Sequence, residues 1–133
     1  MTAPDLPEAL RACADGLYAI EASVELLISH ARWLDREDFA SSFIRTGTST
    51  TDGTTEMALI DWPAAITALN AGELPCSSGE HKMLHLAASL ADHIPVSLGT
   101  TITGLDHQNI LLLVRAILHA SGRRQFPPDS MII

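Results

Sequence analysis

The sequence predicts a mainly α domain: four to five helices in orthogonal or bundle-like packing, with a small β-hairpin near residues 43–60. Three observations carry this expectation. Apolar and small residues recur at three-four spacing over residues 6–34, the signature of a helix with one buried face. Asp5, Asp35, Asp61, Ser77 and Asp106 each stand just ahead of an apolar-periodic segment, where a short oxygen-bearing side chain caps a helix start. Residues 46–55, Thr-Gly-Thr-Ser-Thr-Thr-Asp-Gly-Thr-Thr, hold no large apolar side chain and break the helical pattern. A chain of 133 residues with 47% hydrophobic content supplies one core. With aromatics at 5%, aliphatic packing must dominate it. Residues 1–122 read as a single helical domain and 123–133 as an irregular tail around Pro127-Pro128.

Taken in order, Asp5 and Glu8 form a D-x-x-E capping box with Pro7 in the first turn. The seam Leu10, Cys13, Leu17, Ile20, Val24, Leu27, Ala31, Leu34 then predicts one long helix, with Gly16 as a point of bending. The flanking Ala14, Gly16 and Ile28 are uncharged, which favours a bundle helix over a coiled coil. A second helix starts at Asp35, stapled by Leu34 and Phe39, and ends near Ser42. Asp52-Gly53 is a favoured turn pair, with Phe43 to Gly47 and Glu56 to Ile60 as flanking strands. The alternative for residues 46–55 is a disordered loop. The third helix spans Trp62 to Ala71, capped by Asp61 and stopped by Gly72 and Pro75. The fourth opens on Ser77-Ser-Gly-Glu80, an S-x-x-E box, and runs to about Asp92. A turn-rich piece covers Ser97 to Thr103. The last helix runs from the Asp106 cap to Gly122 and is apolar nearly all round, which predicts a central helix or half of a subunit interface.

Charge narrows the function classes. A net charge of −8 with no basic stripe speaks against nucleic acid and against anionic membrane surfaces. The longest apolar run, Ile110 to Val114, is too short to span a bilayer. The start Met-Thr-Ala-Pro-Asp does not read as a secretory signal, and two cysteines make no disulfide framework. A cytoplasmic location is the resulting expectation.

The candidate chemistry is sparse. Cys76 precedes the Ser77 cap, and staple geometry brings it toward His81, a setting that would lower a thiol pKa. The plainer reading is a small apolar plug. His81 and His85 stand at i, i+4, a spacing that fits two metal ligands, against a reading as two solvated histidines. Asp92 is too far along the helix to join them. Gly99 to Gly104 copies phosphate-loop spacing but is followed by Leu105-Asp106 rather than Lys-Ser/Thr. Residues 77–122 mimic a helix-turn-helix order, yet Leu111, Leu112 and Leu113 leave a recognition helix little polar face. Trp62 is a ligand platform or, more simply, a core residue.

Ile60-Asp-Trp-Pro-Ala-Ala-Ile66, Leu74-Pro-Cys-Ser-Ser-Gly-Glu80, Leu86-Ala-Ala-Ser-Leu90 and Thr103-Gly-Leu-Asp106 together resemble a group of small uncharacterised actinobacterial proteins. The resemblance implies no activity and transfers no catalytic residue. The sequence expectation is therefore a non-catalytic, self-associating interaction protein, a homodimer, with no cofactor. The alternatives are a small enzyme or ligand-binding protein using Cys76 and His81, and a helix-turn-helix regulator, which the acidic charge disfavours.

Overall fold

The computed structural model describes residues 5–122. In chain order these are α1 (Leu6–Ala14), α2 (Tyr18–His30), α3 (Glu37–Phe43), β1 (Ile44–Thr48), β2 (Glu56–Ile60), α4 (Trp62–Asn70), α5 (Ser78–Asp92), α6 (Leu98–Thr103) and α7 (His107–Ala120). The fold is mainly helical and bundle-like with one antiparallel hairpin, as the sequence predicts. The tail expected to be irregular lies outside the described residues.

The single helix expected over residues 6–34 is instead two helices and a turn. Gly16 sits at φ +86°, a left-handed conformation that ends α1 and that glycine adopts without the Cβ penalty. The Glu21 carboxylate accepts the freed Gly16 N–H at 2.7 Å and so fixes the break. A second left-handed residue, Ala31 at φ 65°, closes α2. The following turn swings Trp33 inward to 1% exposure. The cap of α3 is Arg36 rather than Asp35, and its side chain makes no capping bond.

α2 is the central helix, packed on α1, α5 and α7. The expectation of a central last helix is thereby corrected. α7 buries Leu112, Leu113 and Ala116 mainly against α2 and leaves Ile117 half exposed. Small residues let α2 and α5 approach closely. Ala22, Ala87 and Ala88 are fully buried, and the buried Ser23 hydroxyl donates to the Ala87 carbonyl at 2.9 Å. That bond spares a buried polar group the cost of an unmade hydrogen bond.

The hairpin is real, in the register Ile44↔Ile60 through Thr48↔Glu56. Asp52 and Gly53 do not form a two-residue turn; they lie within the longer loop 49–55. The Asp52 carboxylate accepts the N–H groups of Thr54 and Thr55 at 2.9 Å and the Thr55 hydroxyl. These bonds favour its charged form and hold its pKa down to about 2. β2 leans on α1, which supplies the support an isolated hairpin lacks. Among the described residues no helix is long and apolar enough to cross a membrane.

Candidate functional site

Among the hollows lined by the described residues are a polar cleft and an apolar groove that share no lining residue.

The polar cleft is built from helix ends. α5 begins with a complete capping box: the Ser77 hydroxyl accepts the Glu80 N–H at 3.1 Å, and the Glu80 carboxylate accepts the Ser77 N–H at 2.8 Å. α7 begins with Asp106 accepting the Asn109 N–H at 2.8 Å. Each cap leaves the first N–H groups of its helix, Ser78 and Gly79 or His107 and Gln108, without an acceptor among the described residues. The end of α2 adds Ser29 and His30, and the turn beyond it adds Arg32. Together these ends enclose about 470 Å³.

His30 Nδ1 is buried and has no hydrogen-bond partner among the described residues. Burial pushes the His30 pKa below its ordinary value, Arg32 adds to that, and the Glu80 and Asp106 carboxylates pull the other way. Glu80 stays charged below the usual carboxylate range, chiefly because it accepts the Ser77 backbone N–H.

The sequence-predicted residues lie beside this cleft rather than in it. Cys76 is half-buried, and burial pushes its thiol pKa up, with Glu80 adding to the rise and Arg36 opposing it. The direction is opposite to that of an activated thiol. The same seam is a structural junction. Trp33 Nε1 donates to the Glu80 carbonyl at 2.9 Å, and the Arg36 guanidinium donates to the Pro75 carbonyl at 2.7 Å. At neutral pH, iodoacetamide is expected to alkylate Cys76 several-fold more slowly than a free peptide thiol, read by mass spectrometry of the native chain; a faster rate would contradict the geometry.

His81 and His85 do come together, with ring centroids 5.6 Å apart and planes 17° from parallel. Stacked rings present faces rather than lone pairs to each other. His85 Nε2 lies 3.3 Å from Asn70 Oδ1, and Nδ1 is buried without a partner among the described residues. Among the described residues no group of three or more His, Cys, Asp or Glu is placed to hold a metal. Gly99–Gly104 forms α6 and its cap, and Trp62 is buried in the core.

The His30 and His85 pKa values both lie below the ordinary value, each mainly through burial. Below about pH 6.5 the unfolded chain therefore binds protons that the folded chain refuses. Their contribution to stability is present above that pH and is lost as pH falls toward the lower folded values. The melting temperature is expected to fall between about pH 6.5 and 5, with a shallower fall in His30→Gln/His85→Gln. Thermal melts across that range check this; a flat profile in the parent chain would contradict it.

The apolar groove lies between α1, the start of α2, and β2. Leu10, Ala14, Val24, Ile60 and Trp62 form its floor, and it encloses about 430 Å³. Its rim carries Leu17, 54% exposed, and Leu59, 51% exposed. Both exposures follow from local structure. Leu17 sits at the Gly16 break, and Leu59 points to the face of β2 opposite Ala58 and Ile60. Arg45 and Asp61 pair across the rim at 3.4 Å.

No protein-family model matches the chain, and neither does any curated protein or solved structure. The site is therefore read from its geometry. Sequence reasoning missed His30, Arg32 and Trp33, which join the start of α5 only through the turn that ends α2. It also missed the Leu17 and Leu59 pair, whose exposure depends on the broken first helix.

Proposed function

We propose that this chain is a non-catalytic interaction module that associates with a second copy of itself through the groove of α1, α2 and β2. The observation that supports this is one patch holding both an apolar hollow and two protruding leucines at its rim. Such a patch is self-complementary under a two-fold axis, because each copy offers the knob that the other copy's hollow takes. The area removed from water is apolar, so association gains the usual transfer free energy of buried leucine, roughly 1.5–3 kcal/mol per fully buried side chain. The Arg45–Asp61 pair at the rim can exchange to intermolecular pairs across such an axis and set its register.

Net charge opposes this association. Two copies each carrying −8 repel one another, and added salt screens that repulsion. Multi-angle light scattering at micromolar concentration is expected to give twice the 14.3 kDa chain mass, with the dimer fraction rising as salt is added. A monomer at every salt concentration would sink the proposal.

A further inference from the structure

We infer that the polar cleft between the starts of α5 and α7 and the end of α2 is a binding site for a small zwitterion of the α-amino-acid class. This site is separate from the apolar groove and does not depend on self-association.

The cleft is unfinished in a way that points to a ligand. Asn109 is only 9% exposed and lines the cleft. Its backbone N–H is taken by Asp106, while its side-chain amide makes no hydrogen bond among the described residues. The amide is open to the cleft rather than sealed off, so a bound group can pair with its donor and acceptor. His30 Nδ1 is a second unpartnered polar atom at the same cleft. Gly79 keeps the backbone open beside the amide, with Asn109 Nδ2 3.4 Å from where a Cβ would stand.

The ligand class follows from the signs of the lining groups. Free N–H groups at the starts of two helices and the Arg32 guanidinium attract a carboxylate. Lys82 lies over Gly104 at the rim and adds a further positive charge. Glu80 and Asp106 face the same space and suit an ammonium. Those two carboxylates disfavour a phosphate dianion, and the mainly polar lining disfavours an apolar molecule. A molecule with a carboxylate and an ammonium a few ångströms apart satisfies both halves, and the Asn109 amide supplies a donor and an acceptor for either. The volume exceeds that of an amino-acid backbone, so a side chain also fits.

The test is a titration of the full chain followed by amide NMR, with glycine, L-glutamine and L-leucine against acetate, methylammonium and inorganic phosphate. At least one amino acid is expected to shift the Gly79 and Gln108 resonances saturably, with Kd at or below about 1 mM. Acetate and methylammonium, each offering half the charge pattern, are expected to bind at least about tenfold more weakly. Asn109→Ala and Arg32→Gln are each expected to weaken amino-acid binding by about tenfold or more. Arg32 is exposed, so its variant folds even if removal of the Asn109 amide disturbs the core. No saturable shift at these amides with any of the three amino acids, phosphate binding as tightly as the best of them, or an unchanged affinity in Arg32→Gln would overturn the inference.

Discussion

Trp33→Ala is expected to lower the unfolding free energy by about 3–5 kcal/mol. Trp33 is 1% exposed and among the largest fully buried side chains. Its ring lies 5.4 Å from that of Phe39, and the Arg36 guanidinium sits 4.8 Å above it. Its indole N–H donates to the Glu80 carbonyl in the first turn of α5. Truncation leaves a cavity beside Phe39 and removes the bond that ties the turn after α2 to the start of α5. Trp33→Phe keeps most of the ring and loses the N–H, so a smaller loss, about 1–2 kcal/mol, is expected from it. Urea unfolding followed by far-ultraviolet circular dichroism measures both. A Trp33→Ala variant within about 1 kcal/mol of the parent would show that this residue does not anchor the α2–α5 junction.

Trp33 also marks where the sequence stops being readable. It lies off the three-four seam of residues 6–34, and a continuous helix gives it no reason to be buried. Its burial depends on the left-handed Ala31, and alanine carries no turn signal in a sequence. The helix starts with side-chain oxygens were legible for the opposite reason. The caps at Asp5, Asp61, Ser77 and Asp106 are local, and each makes the predicted bond to an N–H three residues on. Asp35 carries the same signal but is displaced, because the chain turns at Trp33 and Arg36 becomes the last non-helical residue. The hairpin was legible from its Thr- and Gly-rich loop; its turn type was not, since Asp52 spends its carboxylate on Thr54 and Thr55.

The candidate sites show the same division. His81 and His85 meet because i, i+4 spacing on one helix is local. The polar cleft draws on residues 29–32, 77–80 and 104–112, and only the tertiary packing of α2 on α5 and α7 brings them together. The pairing of Leu17 with Leu59 across the groove is equally non-local.

That groove gives the second large effect. Leu59→Glu places a carboxylate on the rim, where a second copy would bury it. In a two-fold interface each substitution acts twice, and burying an unpaired charge is costly. Leu59 faces away from the core side of β2, so the fold and its melting temperature are expected to change little. Leu98 provides the control: it is 50% exposed on α6, away from the groove. The direct measurement is sedimentation equilibrium of the parent chain, Leu59→Glu and Leu98→Glu at matched salt. The parent and Leu98→Glu are expected to share a dimer dissociation constant, with Leu59→Glu weaker by about a hundredfold or more. A monomeric parent, or a Leu59→Glu dimer as tight as the parent, would contradict self-association through this groove.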